Sequence, residues 1–214
     1  MTLDEIKEKK DTYKKRGLEA IRQCQVGAVL LAGGQGTRLG LDKPKGMLNV
    51  GIHKELYLFE QLVNNLMEVV KEADAWVPLF VMTSEKNNAD TVAFFKEKDY
   101  FGYNKDYVFF FVQEMAPSVG YDGKILMEAK DRLSTSPNGN GGWFSSLVKA
   151  GLLDKINELG VKFLNVFAVD NVLQKMADPV FVGATLEAGA VCGSKVVALS
   201  LIHISEPTRP RLIS

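Results

Sequence analysis

A glycine-rich segment follows an apolar run near the start of the chain. Residues 33–45 contain four glycines together with Arg38 and Lys45, and residues 26–31 before them are typical of a buried strand. Glycine lets a ligand approach main-chain N–H groups closely, while a guanidinium and an ammonium supply positive charge for phosphate oxygens. The segment therefore predicts a phosphate-binding loop.

The glycine spacing excludes two common phosphate-binding loops. A dinucleotide-binding G-x-G-x-x-G pattern that starts at Gly34 needs glycine at position 39, which is Leu39. A P-loop that uses Gly40 needs glycine at 35 and lysine at 41, and these positions hold Gln35 and Leu41. An NAD-dependent oxidoreductase is disfavoured because the dinucleotide pattern fails.

The overall composition limits the possible partners. The 214 residues include 26 basic and 26 acidic side chains, and 46% are hydrophobic, which is typical of a soluble α/β protein. A balanced charge argues against a nucleic-acid or acidic-membrane partner. Two cysteines form no disulfide framework, the charged residues 1–22 are unlike a signal peptide, and no apolar run approaches a membrane span. The expected location is therefore the cytoplasm.

Hydrophobic periodicity predicts that helices and strands alternate along the chain. The predicted strands are residues 26–31, 77–82, 107–112 and 161–169, and the predicted helices are residues 1–22, 59–70, 91–98, 143–148 and 152–159. Such alternation is typical of a mostly parallel sheet with helices on both faces, so the fold class is predicted to be α/β.

Polar residues follow two of the predicted strands. Gln113 comes directly after strand 107–112, and Asp170 comes after strand 161–169. Ligand sites of open α/β sheets lie at the carboxyl ends of strands, so both positions are candidates for binding. Asp170 either caps the next turn or holds a cation. A second glycine cluster, residues 137–142, fits a flexible loop as well as a binding loop.

The first glycine segment resembles a known family signature. The pattern L-x-G-G-x-G-T-R-L-G-x-x-x-P-K runs from Leu31 to Lys45 and is similar to the uridylyltransferase loop of UDP-sugar pyrophosphorylases. Residues 32–40 and 44–47 most resemble the UDP-N-acetylglucosamine branch of this family. The second glycine cluster is similar to a Gly-Asn-Gly-Gly loop of the same family.

This resemblance extends over residues 26–197 and implies a fold and a domain organisation. The expected fold is a Rossmann-like nucleotide-diphospho-sugar transferase (GT-A-like) domain over residues 26–198, incomplete at its end and preceded by a helical segment, residues 1–25. Residues 179–188 and 191–197 are similar to a helix and a strand of the family.

The resemblance also implies the reaction. Members of the family join UTP to N-acetylglucosamine 1-phosphate and release pyrophosphate beside the UDP-sugar. Such a site works mainly by positioning two charged molecules and stabilising the leaving phosphate charge.

Seven residues are expected, by this resemblance, to contact uridine and the sugar. Main-chain groups of the first loop contact uracil and ribose, Gln113 reads the uracil edge through its amide, Gly139 continues the uridine contact and Asn140 faces the sugar. In sequence order these residues are Leu31, Ala32, Gly33, Gly34, Gln113, Gly139 and Asn140.

Three charged residues are expected to bind the phosphates or the metal ion that accompanies them. Arg38 contacts the β- and γ-phosphates, and Lys45 lies on the triphosphate, so these two are the expected catalytic residues. Asp170 is the expected ligand of Mg²⁺, which binds through few carboxylates together with phosphate oxygens and water.

The sequence departs from the family at two positions and leaves alternatives open. Glu114 stands where the family has glycine and places a carboxylate beside the expected nucleotide pocket, and Asn138 replaces an aspartate. A UDP-glucose or broad UDP-sugar pyrophosphorylase is the first alternative. The second is a uridine-nucleotide-binding module without catalytic activity, whose binding would be indifferent to changes at Lys45 and Asp170.

The end of the chain is unlike the family. Residues 199–209 are similar to an in-frame translation of a sequencing adapter, so residues 199–214 are expected to be a non-native tail on a truncated chain that is inactive by itself. A genuine short strand with a proline-rich tail is the alternative. His203 is accordingly not read as catalytic.

Overall fold

The computed structural model describes residues 2–36, 40 and 42–196. It begins with two helices, α1 (Leu3–Glu8) and α2 (Lys10–Arg22), where the sequence predicts one helix over residues 1–22. The prediction of a single helix is wrong because Lys9 leaves the helical conformation, with φ −102° and ψ 15°. Residues 7–10 are all exposed, so tertiary packing does not hold α1 in line with α2.

The remaining elements alternate between strands and helices. In chain order they are β1 (Val26–Leu31), α3 (Leu58–Ala73), β2 (Leu79–Thr83), α4 (Asn88–Glu97), β3 (Val108–Val112), β4 (Met115–Pro117), β5 (Met127–Ala129), β6 (Arg132–Leu133), β7 (Thr135–Pro137), α5 (Trp143–Lys149), α6 (Leu152–Glu158), β8 (Phe163–Ala168) and α7 (Pro179–Glu187). Four strands form a parallel sheet in the order β3-β2-β1-β8. Strand β4 pairs antiparallel with β7, and β5 with β6.

Both faces of the parallel sheet are covered by helices. Ala28 and Leu30 of β1 pack in one core with residues of α2, α3, α4 and α7. Val29 and Leu31, whose side chains point to the opposite face, pack in a second core with Leu147 of α5. The predicted α/β class with a helix-covered parallel sheet is therefore confirmed.

The strand order changes direction at β1. The chain passes from β1 through α3 to β2 and through α4 to β3, whereas β8 pairs with the opposite edge of β1. Leu31 at the end of β1 is paired with Ala168 at the end of β8. Ligands of open α/β sheets bind at such a switch point, outside the carboxyl ends of the strands.

Helices α2 and α7 cross closely at two glycines. A Cβ on Gly17 would overlap the main chain of Pro179, and a Cβ on Gly183 would overlap the carbonyl of Tyr13. These contacts are with backbone atoms, which cannot rotate away as a side chain would. The crossing therefore requires glycine at both positions.

We expect Gly183→Ala to lower the free energy of unfolding by about 1–3 kcal/mol, because the added methyl forces the two helices apart. Urea denaturation followed by circular dichroism measures this as a lower midpoint. Gly141→Ala is the matched control, since a Cβ there meets open space. Equal midpoints for the two variants would show that the helix crossing tolerates a side chain.

The predicted strand at residues 191–197 does not form over residues 191–196, the part that the structure describes. The segment is held against α7 instead of joining the sheet, because Lys195 Nζ lies 2.6 Å from an Asp178 carboxylate oxygen and 5.2 Å from the centre of the Phe181 ring. A cavity of about 520 Å³ lies between this segment, α7 and β8. None of the site residues predicted from the sequence lines it.

Candidate functional site

The first glycine loop leaves the buried end of β1. Leu31, Ala32 and Gly33 are buried and Gly34 is exposed, and Ala32 N–H donates to the carbonyl of Met82 at 2.8 Å. The loop then folds back on itself, since Gly36 N–H donates to the carbonyl of Lys43 at 3.0 Å. Its main chain is therefore anchored to the sheet on one side and open to solvent on the other.

Arg38 lies outside the described residues, with Thr37, Leu39 and Leu41. Its contact with the β- and γ-phosphates stays a prediction from the sequence.

Gln113 lies directly against the first loop. It follows β3, its N–H donates to the carbonyl of Thr83 at 2.8 Å, and only 5% of the residue is exposed. A Cβ on Gly33 would overlap the Gln113 amide group, so the close approach requires glycine there. No described residue hydrogen-bonds this amide, and a glutamine amide can both donate and accept a hydrogen bond.

Alanine substitutions at Gly33 and Gly34 distinguish the effect of a glycine on packing from its effect on ligand binding. We expect Gly33→Ala to displace Gln113, lowering the free energy of unfolding by about 1–3 kcal/mol and weakening UTP binding. Gly34→Ala should leave unfolding within about 0.5 kcal/mol of wild type, because a Cβ there meets open space. It should still weaken UTP binding about tenfold, because the methyl would occupy the space through which the nucleotide is expected to approach.

Thermal unfolding and calorimetric titration with UTP measure the two effects. Unchanged UTP affinity in Gly34→Ala would mean that this part of the loop does not contact the nucleotide.

Lys45 and Asp170 form an ion pair across the switch point of the sheet. Lys45 begins a short 3₁₀ turn, and its N–H donates to the carbonyl of Gly34 at 3.4 Å. Asp170 follows β8, and its carboxylate accepts a hydrogen bond from Lys45 Nζ. The side chains are 29% and 63% exposed, so both groups are accessible to a ligand.

The Asp170 carboxylate accepts no hydrogen bond from the turn that follows it, within the described residues. The structure shows this carboxylate paired with the ammonium of Lys45, and its binding of a metal ion stays a prediction from the sequence. Among the described residues there is no cluster of three or more carboxylate, imidazole or thiol groups that would bind a metal ion by themselves.

The turn that carries Lys45 is fixed by close packing. Gly46 lies beneath the fully buried ring of Phe59, where a Cβ would overlap the ring atoms. Lys45 is thus placed by its neighbour's contact with α3 as well as by its own hydrogen bond to Gly34.

The second glycine loop lies beside Gln113. Gly139 and Asn140 are exposed, and Gly139 has φ 79°, a conformation that favours glycine. Asn138 N–H donates to the carbonyl of Glu114 at 3.0 Å, which joins the loop to the end of β3. The structure therefore brings the second loop, Gln113 and the first loop to one edge of the sheet.

Comparison with known proteins identifies the family. A family model described as UTP–glucose-1-phosphate uridylyltransferase matches residues 2–200, nearly the whole chain. The chain belongs to this uridylyltransferase family.

Individual relatives are similar over most of the chain. The UDP-N-acetylglucosamine pyrophosphorylase of Saccharomyces cerevisiae is 40% identical over 202 residues, which cover 92% of this chain and 42% of that protein. The UDP-N-acetylhexosamine pyrophosphorylase-like protein 1 of Mus musculus is 40% identical over 191 residues, covering 86% and 38%. The chain thus spans less than half the length of the curated relatives it matches.

Solved structures share the fold. The uridine diphosphate N-acetylglucosamine pyrophosphorylase of Trypanosoma brucei, solved with an inhibitor, gives a TM-score of 0.80 at 33% identity, covering 88% of this chain and 41% of that one. A UDP-glucose pyrophosphorylase of Leishmania major, solved with UDP-glucose, gives 0.65 at 21% identity, covering 79% and 35%. The second likeness concerns the fold alone.

The structure also shows a residue of this region that the sequence did not predict. Asn87 is fully buried at the start of α4, and its amide nitrogen lies 3.0 Å from the carbonyl of Ala32 and 3.3 Å from that of Gly34. Its amide oxygen accepts from Ser84 N–H at 2.7 Å. Asn87 therefore fixes the main chain of the first loop from the start of helix α4. A polar residue opening a helix after a buried strand is the only signal the sequence offers for it.

Glu114 does not point its carboxylate toward the first loop. The carboxylate accepts hydrogen bonds from Lys149 Nζ and from the Ser145 hydroxyl, the latter at 3.2 Å. The ammonium of Lys149, followed by the Ser145 hydroxyl, lowers the pKa of Glu114 below its ordinary value. The negative charge expected beside the nucleotide pocket is therefore compensated on helix α5.

Proposed function

We propose that this chain binds UTP and forms part of an enzyme that transfers its uridylyl group to N-acetylglucosamine 1-phosphate. The observation that carries the proposal is the meeting of Lys45 and Asp170 at the switch point, beside a loop that packs against the Gln113 amide. The Lys45 ammonium, the Asp170 carboxylate and the Gln113 amide match the phosphates, the metal ion and the base of a metal-bound pyrimidine triphosphate.

The proposed reaction is a displacement at the α-phosphorus. An oxygen of the sugar phosphate forms a bond to that phosphorus while the bond to the β-phosphate oxygen breaks, so UDP-sugar and pyrophosphate result. Lys45 compensates the negative charge that builds up on the leaving pyrophosphate, and Arg38 is proposed to do the same. Gln113 and the two glycine loops hold the uridine, with Asn140 facing the sugar.

The residues present fit a magnesium ion that arrives with the nucleotide. Asp170 offers a single exposed carboxylate, and Mg²⁺ is commonly held by one or two carboxylates together with phosphate oxygens and water. Bound there, Mg²⁺ would neutralise phosphate charge and orient the α-phosphate. Asp170 must first release the Lys45 ammonium, which then becomes free for the triphosphate.

The proposed sugar is N-acetylglucosamine 1-phosphate. The support is that structures named for UDP-N-acetylglucosamine are 33–34% identical to this chain, whereas those named for UDP-glucose are 20–22% identical. A UDP-glucose or broad UDP-sugar enzyme is the alternative, since the matching family model is named for glucose 1-phosphate.

Binding to the 214-residue chain tests the first part of the proposal. Calorimetric titration with UTP, CTP and ATP in the presence of Mg²⁺ should show UTP bound at least tenfold more tightly than the others, because the Gln113 amide, held in one orientation, reads the uracil edge. Equal binding of the three nucleotides would contradict the assignment to uridine.

A hybrid protein tests the second part. The chain's residues 2–196 replace the matching region of the S. cerevisiae relative, and pyrophosphate release from UTP is measured with N-acetylglucosamine 1-phosphate and with glucose 1-phosphate. We expect faster release with the amino sugar. A hybrid that binds UTP but releases no pyrophosphate would favour the alternative of a nucleotide-binding module without catalysis.

The cytoplasm is the proposed location. Cys24 and Cys192 are both free thiols, as expected in a reducing compartment. Within residues 2–36, 40 and 42–196, no helix has the length and apolar character needed to cross a bilayer.

A further inference from the structure

The main chain of Glu114 holds both ends of the second glycine loop. Its carbonyl accepts from Asn138 N–H at 3.0 Å, at the start of the loop. Its N–H donates to the Ser146 hydroxyl at 3.1 Å, and that hydroxyl lies 2.9 Å from the carbonyl of Gly142, at the end of the loop. The loop is therefore closed onto the residue that follows Gln113.

Ser146 is the only side chain among the described residues that links these two main-chain groups. Its bond to Gly142, four residues earlier, is one that serines in helices often form, but its bond to Glu114 N–H reaches a different element. Ser146 is 2% exposed, so water does not substitute for a lost hydroxyl.

The neighbouring Ser145 differs from Ser146 in the group of Glu114 to which it bonds. Its hydroxyl also lies 2.9 Å from the carbonyl of Gly142, but it reaches the exposed Glu114 carboxylate and not the Glu114 N–H. Ser145 is exposed, so water replaces what it provides. The two serines therefore form a matched pair, of which only Ser146 connects the loop to the main chain beside Gln113.

Uracil and cytosine present opposite hydrogen-bonding groups at their variable edge. A glutamine amide satisfies either pattern, because its donor and acceptor exchange when the group turns over. No hydrogen bond from a described residue fixes the Gln113 amide, so only its surroundings select one orientation. Gly33 packs on one side of it, and the second glycine loop is tied to the next residue, Glu114.

We propose that Ser146 is a positioning residue that fixes the second glycine loop relative to Gln113 and thereby sets the preference for uracil over cytosine. The inference rests on the proposed function, because it assumes that Gln113 reads the base. Without the Ser146 hydroxyl the Gly142 end of the loop is released from Glu114, while Asn138 still holds its start, and the Gln113 amide turns to accommodate either base.

The test measures UTP and CTP affinities of the 214-residue chain by calorimetry, with circular dichroism as the check on folding. Ser146→Ala should lower the ratio of UTP to CTP affinity about tenfold, the equivalent of one discriminating hydrogen bond. Ser146→Cys keeps the side-chain size but hydrogen-bonds weakly, so it should lower the ratio as well. Ser146→Thr retains a hydroxyl and should keep the wild-type ratio.

Ser145→Ala is the control and should keep the wild-type ratio. A folded Ser146→Ala or Ser146→Cys chain with the wild-type ratio would overturn the inference while leaving the proposed function intact. An equal loss in Ser145→Ala would also overturn it. A wild-type chain that binds UTP and CTP equally would overturn both the inference and the proposed function.

Discussion

The Lys45→Met chain is expected to bind UTP about 10- to 100-fold more weakly than wild type, while its affinity for uridine stays the same. The loss corresponds to one charge-assisted hydrogen bond to phosphate, about 1.5–3 kcal/mol. Methionine keeps the length of the side chain, so the change removes mainly the charge. The lone Asp170 carboxylate then also repels the triphosphate, which acts in the same direction.

Lys43→Met is the matched control for this experiment. Lys43 belongs to the same loop and is exposed, but within the described chain it forms no ion pair. Titration with UTP and uridine at two salt concentrations separates a specific contact from general attraction, because only the latter is strongly screened. Equal losses in the two variants would show that Lys45 supplies nothing beyond net charge.

In a hybrid enzyme that turns over, Lys45→Met should lower the rate of pyrophosphate release on the order of a hundredfold or more, since the lysine is proposed to compensate the charge that develops on the leaving group. An unchanged rate would place Lys45 outside the catalytic site.

The Asp170→Asn chain should change its UTP affinity in opposite directions with and without Mg²⁺. Without the ion, the variant should bind UTP more tightly than wild type, because it lacks a negative charge and leaves Lys45 free. With Mg²⁺, wild type should gain about tenfold or more in affinity and the variant should not. This reversal in the order of the two UTP affinities when Mg²⁺ is added distinguishes a metal ligand from a group that only pairs with lysine.

Asp131→Asn is a suitable control, since Asp131 is an exposed carboxylate in the turn between β5 and β6. It should respond to Mg²⁺ like wild type. A full Mg²⁺ response in Asp170→Asn would exclude Asp170 as the ligand and leave it as the partner of Lys45 alone.

The sheet could be predicted from the sequence because parallel strands are buried on both faces. Residues 26–31 read as a nearly continuous apolar run and form a strand with the predicted bounds, and the other three parallel strands lie within two residues of theirs. The end of helix α1 could not be predicted, because the charged residues there are exposed and show no apolar pattern that would mark it.

The site could be predicted only in part. Glycines and polar residues after strands carry a local signal, so the first loop, Gln113 and Asp170 could be named as candidates from the sequence. The pairing of Lys45 with Asp170 joins residues 125 positions apart, and no local pattern reports it. Asn87 and Ser146 are ordinary polar residues in sequence, and their importance comes from the buried carbonyl and N–H groups that the fold places beside them.

The close crossing of α2 and α7 has a consequence for the order in which the protein is built. Helix α2 precedes the first described strand and α7 follows the last, so their contact forms only after the described elements between them have left the ribosome. Until then the inner side of α2, including Tyr13 and Gly17, lacks its covering. Contacts this distant in sequence slow folding, so the side of α2 that packs on α7 stays uncovered until α7 has been synthesised.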